Sequence, residues 1–350
     1  MKYAVLLHEE RHMARNYHGE GLELLRAHGD VDLITMKLGE EAAALEPFAG
    51  LMKEADAAVI GSWYRPALRP EHWQASKNLK VFSGTFDNRF EGWVDIDYLD
   101  SRKIPLIDTS RGMTPSVAEF AFALTLNLIR DIPNSLYLVR EGGWIAHVPM
   151  NWERPGFVYG DLTGRRVGLA GLGSINQRYA ELLAPWHCEV SVYDPYVSDE
   201  TIVHYGGKRV SSLVELAKNS EVFNVGIPPM ADTMQIINRD VIYALPKGAL
   251  FVITTRMQVV EQEPLWERIK NNEISAGIDV FLPEPPPADA WFRKHPNVIA
   301  TPHVAGGTDF CHRRCFTDAC KEAIAVLEGR EPRFRTVKRD YLIYEGKMKN

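Results

Sequence analysis

Cysteine is scarce in this chain, four among 350 residues. So few thiols build no disulfide framework and fit a reducing, cytoplasmic compartment. Long runs of one charge are also missing. The 40 Lys and Arg against 46 Asp and Glu leave a net charge of −6, so there is no basic footprint for nucleic acid or for an anionic membrane. Apolar runs stop at strand length, which leaves no segment to read as a membrane span. The start, Met1 to His8, reads as a first strand rather than a signal peptide. No segment of roughly 20 to 50 residues repeats. What remains is a globular composition, 45% apolar and 25% charged, at a length that suits two domains. Cys311, His312, Cys315 and Cys320 have the residue types of a metal site. The stretch Asp309 to Glu328, however, carries Phe316, Ala319, Ala323 and Val326 at helical spacing, so the thiols read as small core residues and no metal is expected.

The most informative stretch is Val167-Gly168-Leu169-Ala170-Gly171-Leu172-Gly173-Ser174-Ile175-Asn176, followed by a second apolar run ending Val192-Tyr193-Asp194. It reads as a strand, a glycine turn, an amphipathic helix with Tyr179, Ala180, Leu182 and Leu183, and a second strand closed by an acid. This is the order of a dinucleotide site. Gly171 permits the tight turn, Gly173 lets backbone approach a pyrophosphate, and the helix N-terminus offers free N–H groups and a positive dipole end. Asp194 can accept hydrogen bonds from both adenosine ribose hydroxyls and would repel a 2′-phosphate. Pro195 and Tyr196 follow it instead of an arginine, so NAD is expected rather than NADP. Asn176 stands where a third glycine serves helix-to-strand packing, and a small displacement of the helix is expected there.

Strand-like runs alternate with amphipathic stretches along the chain: Tyr3 to Leu7, Val31 to Thr35, Ala57 to Gly61, Lys80 to Ser83 and Pro105 to Asp108. The pattern restarts at Val167 and continues through Val190 to Asp194, Val222 to Val225, Leu250 to Ile253, Gly277 to Phe281 and Val298 to Thr301. Such alternation implies an α/β protein with parallel sheets. Between the two sets, Ser116 to Arg130 reads as an apolar helix, buried on most sides, that connects domains or forms a subunit interface. Arg333 to Asn350 reads as an edge strand returning to the first domain or as an arm on a partner.

Three late residues would carry chemistry. Arg256 closes one strand, in Ile253-Thr254-Thr255-Arg256; Glu284 follows the next, in Asp279-Val280-Phe281-Leu282-Pro283-Glu284; His303 follows the last, in Thr301-Pro302-His303. Strand C-termini are where an open α/β sheet places its ligands. A guanidinium there can hold a carboxylate through two bonds and polarise a carbonyl. An imidazole backed by a carboxylate can exchange the proton that accompanies hydride transfer.

Taken together, Val117-Ala118-Glu119, Gly171-Leu172-Gly173-Ser174-Ile175, Tyr193-Asp194-Pro195, Thr255-Arg256, Asp279-Val280-Phe281, Glu284-Pro285 and Thr301-Pro302-His303 resemble the D-isomer-specific 2-hydroxyacid dehydrogenase family, over roughly Lys80 to Glu328. The resemblance implies two Rossmann/flavodoxin-like α/β domains with a cleft between them: 1–113 plus 308–350 for substrate, 114–307 for NAD. It implies an NAD-dependent interconversion of a 2-keto acid and a D-2-hydroxy acid, with Arg256 as substrate anchor, His303 as acid and base, and Glu284 tuning His303. It also implies cofactor contacts at Gly171, Gly173, Ser174, Ile175, Asp194, Pro228, Thr254, Thr255 and Asp279, and a homodimer across the helix near Ser116 to Arg130.

Departures fall where substrate is chosen. Met257 and Gln258 replace the usual glycine after the arginine, which sets a bulky side chain near the cofactor floor. The loop from Gly84 and Thr85 through Gly92, where the family grips a carboxylate with backbone N–H groups, is longer than usual. Arg65, beside Trp63 and Tyr64, and Arg89 are placed to hold a second anionic group, so a substrate larger than pyruvate is expected. Two other readings share these residues: phosphite or formate oxidation, the latter disfavoured because formate dehydrogenases carry glutamine where Glu284 stands, and an NADH-sensing binding protein like the C-terminal-binding corepressors.

Overall fold

The computed structural model describes residues 1–9, 16–37, 39–61, 67–86, 94–145 and 160–344. It divides into two compact units, Met1–Met113 with Gly307–Asn350, and Thr114–Gly306.

The first unit is built on β1 (Lys2–His8), β2 (Asp30–Met36), β3 (Ala57–Gly61), β4 (Val81–Gly84) and β5 (Leu106–Asp108), parallel to one another. The strand Arg335–Thr336 adds antiparallel to β5, giving the order Arg335–Thr336, β5, β4, β3, β1, β2. Of the two readings of the C-terminal segment, the edge strand is the one observed, and a helix, Lys338–Tyr344, follows it. Tyr3 to Leu7 of β1 are wholly buried, as expected of a central parallel strand covered on both faces. One face packs on Phe48, Met52, Trp73 and Leu99. The other packs on Leu22 and Leu25 and on the helix Asp309–Leu327 through Phe316, Ala319, Cys320 and Ala323. Cys311, Cys315 and Cys320 are buried along that helix. Burial pushes the Cys320 thiol well above the ordinary range. Among the described residues no three His, Cys, Asp or Glu side chains are grouped to hold a metal.

The second unit carries β6 (Arg166–Ala170), β7 (Glu189–Tyr193), β8 (Gly207–Arg209), β9 (Val222–Val225), β10 (Leu250–Ile253), β11 (Ser275–Ile278) and β12 (Val298–Ala300), all parallel, in the order β12, β11, β10, β9, β6, β7, β8. Two details differ from the sequence reading. β8 was not expected, because Gly-Lys-Arg has no apolar run to mark it. β11 lies two to three residues earlier than Gly277 to Phe281, since the apolar residues after Ile278 belong to the turn that leaves the sheet. The chain runs outward from β6 in both directions, through β7 on one side and β9 on the other. The C-terminal ends of β6 and β9 therefore form the switch point at which such sheets take ligands.

The apolar helix spans Thr114–Ile129 and buries Val117, Ala118, Ala121, Leu124 and Leu128. Gly277 admits it to the sheet: a Cβ there would lie 3.1 Å from Cβ of Leu124. Thr125 Oγ1 and Tyr179 Oη, 2.7 Å apart, tie it to the helix Ser174–Leu183. The stretch Ser110–Ile129 is in fact long and apolar enough to cross a membrane by length and composition, contrary to the sequence reading, but half of it is buried within the protein. Its hydropathy is that of a core helix, whose apolar stripe serves the sheet.

Candidate active site

The glycine turn leaves β6 with Gly171 at φ +83°, a left-handed conformation that glycine alone adopts without strain. Gly173 follows in extended backbone at the N-cap of the helix Ser174–Leu183, with no side chain capping the helix. A Cβ on Gly173 would find no atom within 4 Å. The turn thus presents bare backbone and uncapped N–H groups to open space, which is what a pyrophosphate requires. Ser174 is held by the Thr114 hydroxyl at 2.9 Å, and Ile175 beside it is half-buried.

Asp194 lies just past β7, and its carboxylate is oriented by three backbone donors. Leu172 N–H reaches Oδ2 at 2.8 Å; Tyr196 and Val197 N–H reach Oδ1 at 2.9 and 3.1 Å. Oδ1 is filled by its two donors, and Oδ2 keeps one lone pair for a hydroxyl. At the facing strand ends, Pro228 is exposed and its carbonyl accepts the Thr233 hydroxyl at 2.6 Å. Thr254 is buried, and the Thr255 hydroxyl donates to Val225 O at 3.1 Å.

Asn176 does more than tolerate the missing third glycine. Its side chain is buried; Nδ2 donates to Gly171 O at 2.7 Å, and Oδ1 accepts from Asn224 at 2.8 Å. The amide fastens the glycine turn to β9 with a hydrogen-bonded bridge that a glycine could not make.

Arg256, Glu284 and His303 follow β10, β11 and β12, three neighbouring parallel strands at one edge of the sheet. Glu284 and His303 meet: Nδ1 of the imidazole lies 2.9 and 3.0 Å from the two carboxylate oxygens. A carboxylate only accepts, so Nδ1 carries hydrogen and Nε2 is left as the nitrogen that exchanges a proton. Both side chains are more than a third exposed, at 36% and 38%, as a group that must reach a substrate should be. Arg256 donates from Nη1 to its own Thr255 carbonyl at 2.7 Å.

His303 has φ +54°, unusual for a residue with a Cβ and costly unless its neighbours fix it. Asp279 does the fixing. It is wholly buried; Oδ1 accepts from Thr301 Oγ1 at 2.5 Å and Val304 N–H at 3.0 Å, and Oδ2 from Ala305 N–H at 2.9 Å. The resemblance implies that Asp279 touches the cofactor; in this structure its carboxylate accepts three bonds from the loop around His303. Met257 differs from its expected place: it is wholly buried in the core cluster that holds Val225, Ile237 and Ile253, so its bulk belongs to the hydrophobic core.

Of the substrate candidates, Gly84 and Thr85 are turned inward. Gly84 O accepts Thr109 N–H at 2.9 Å, Thr85 Oγ1 lies 3.0 Å from the buried Thr109 hydroxyl, and the next N–H, of Phe86, goes to Asp108 at 2.9 Å. Arg65, Arg89, Trp63 and Tyr64 lie outside the described residues.

Residues 122–305 match the family model "D-isomer specific 2-hydroxyacid dehydrogenase, NAD binding domain". The chain is 33% identical over 239 residues to a D-3-phosphoglycerate dehydrogenase of Archaeoglobus fulgidus, covering 67% of this chain and 43% of that one. It is 31% identical over 264 residues to a glyoxylate reductase of Thermofilum pendens, covering 75% and 76%. A solved phosphoglycerate oxidoreductase from Rhizobium etli superposes with a TM-score of 0.78 at 20% identity, over 97% of this chain and 99% of that one, and shares the fold. Against several curated relatives, the A. fulgidus protein among them, the chain spans only 43% to 61% of the relative's length.

Proposed function

The chain belongs to the D-isomer-specific 2-hydroxyacid dehydrogenase family, and from that premise we propose that it interconverts a 2-keto acid and a D-2-hydroxy acid with NAD(H). The observation that carries this reading is the His303 and Glu284 pair, an acid and base whose Nδ1 is committed to a carboxylate. The Gly171 to Ile175 turn would hold the pyrophosphate and Asp194 the adenosine ribose; Pro228, Thr254 and Thr255 line the facing strand ends. NAD(H), when bound, supplies or accepts the hydride. His303 gives or takes the hydroxyl proton through Nε2. Glu284 holds the ring in the productive tautomer and stabilises the imidazolium. Arg256 binds the substrate carboxylate and polarises the carbonyl.

The substrate we favour is larger than pyruvate or doubly anionic, on the strength of Arg65 and Arg89 in the sequence. A homodimer is also proposed. The resemblance puts the interface near Ser116 to Arg130; the surface we favour for it is the adjoining helix Ile132–Arg140, none of whose residues is buried. Four cysteines with no disulfide among them fit the cytoplasm.

The experiment is NADH oxidation by the purified protein across 2-keto acids, with dicarboxylic and phosphorylated ones included and His303→Ala alongside. Turnover that falls at least a hundredfold in the variant, the lower end for a positioned acid and base (roughly 10²–10⁴-fold), is the expected result. Tight NADH binding with no turnover on any of them defeats it and leaves a sensor.

A further inference from the structure

β8 exists for a side chain. Gly206, at φ +72°, turns the chain into three residues that pair with β7, and the last of them, Arg209, sits opposite Val192. Its guanidinium fans out under the loop that leaves β7: Nη1 donates to the Asp194 carbonyl, Nη2 to the Val197 carbonyl, and Nε to the Asp199 carboxylate. A planar fork with fixed donor directions suits such a three-point hold better than an ammonium would.

The same loop is held on its other side by Asp194. Its carboxylate takes Tyr196 and Val197 N–H on one oxygen and Leu172 N–H of the glycine turn on the other. Those contacts fix the carboxylate only as well as the loop itself is fixed. The carbonyls of Asp194 and Val197 lie past the end of β7, where the ladder no longer constrains them, and Arg209 takes both.

We propose that Arg209 is a positioning residue for the cofactor: it locks the 194–199 loop so that Asp194 presents its carboxylate to the adenosine ribose in one orientation. Three of its five N–H groups donate to the 194–199 loop, which turns the fork toward that loop rather than toward a 2′-phosphate. The arginine that the residues directly after Asp194 lack is thus supplied from β8 and turned to a different use. This rests on the reading of Asp194 as the ribose acceptor.

The test is fluorescence titration of the full chain with NADH and with NADPH, for wild type, Arg209→Ala, Arg209→Lys, Asp194→Ala and the Asp194→Ala/Arg209→Ala double variant. Arg209→Ala raises the NADH Kd about tenfold, the scale of one lost charge-assisted hydrogen bond, and Arg209→Lys recovers part of it. In turnover the loss falls on KM for NADH rather than on kcat. The double variant binds NADH no more weakly than Asp194→Ala, because Arg209 acts through Asp194. An unchanged NADH Kd in Arg209→Ala overturns the proposal, and so does a loss confined to NADPH, which would make Arg209 a phosphate ligand. Should Arg209→Ala melt below the assay temperature, Arg209→Lys carries the test, and a wild-type Kd there overturns it equally. If Asp194→Ala itself binds NADH as wild type does, the ribose reading fails and the proposal falls with it.

Discussion

At the scale of single residues, Glu284 and His303 divide the work. The imidazole needs one nitrogen free for proton exchange and the other tied down, or the ring spends time in the wrong tautomer. Glu284→Gln keeps the shape and removes the charge. Gln can accept the Nδ1 hydrogen with its carbonyl oxygen, so the ring stays in place, but the imidazolium loses its counter-charge. The expected outcome is a fall in kcat of about ten- to a hundredfold, the range for losing a partner that orients and polarises a working imidazole, with the NADH Kd unchanged because the pair lies at a different strand end from the glycine turn. Stopped-flow turnover and equilibrium titration separate the two quantities, and an equal loss in both would sink the assignment. Asp279 belongs to the same group at one remove. Its three hydrogen bonds hold the loop that keeps His303 at a positive φ.

At the scale of elements, the glycine turn and β9 are locked by a fit with no slack. A Cβ on Gly226 would lie 2.4 Å from Nδ2 of Asn176, and that amide cannot swing aside because Gly171 O and Asn224 hold it on both sides. Gly226→Ala is therefore expected to cost about 2 kcal/mol in urea unfolding, typical of overpacking a tight interior. In an Asn176→Gly background, which lacks that amide, Gly226→Ala should cost much less than it does in the wild type. An equal cost in both backgrounds would show that the clash lies elsewhere. This also bears on what could be read from the sequence. Gly171, Gly173 and Asp194 were legible because their chemistry is set by local backbone and by charge. The strand ends carrying Arg256, Glu284 and His303 were legible because apolar runs mark them. Asn176 was legible only as a missing glycine, since its bridge needs Asn224 on a strand 48 positions away. β8 is too short and too polar for any periodic pattern and pairs only along the edge that β7 offers, whereas the strand Arg335–Thr336 was one of the two readings of the C-terminal segment. Met257 was misplaced because nothing in a chain segment says which side of a strand end faces the core.

At the scale of the whole molecule, each unit buries its own core, and the helix Ile132–Arg140 of the second unit has no buried residue. The helix Ile132–Arg140 has Ile132, Leu136, Tyr137 and Val139 at 47%, 48%, 65% and 53% exposure, and Trp144 and Ile145 beyond it are at 79% and 55%. Nine residues make a marginal helix without tertiary packing. A contiguous apolar surface of that kind marks an interaction site on a soluble protein. Covering it with the same helix of a second copy buries both at once, as a two-fold interface does. Sedimentation equilibrium should then report twice the 39.6 kDa chain mass. Leu136→Glu with Tyr137→Glu sets like charges against each other across the two-fold and leaves each monomer's core untouched, so the mass should halve while the circular dichroism spectrum keeps its shape. A wild-type monomer at tens of micromolar would remove the dimer altogether. A variant that stays dimeric would instead move the interface to another face, the half-buried helix Thr114–Ile129 with Phe120 and Phe122 being next in line.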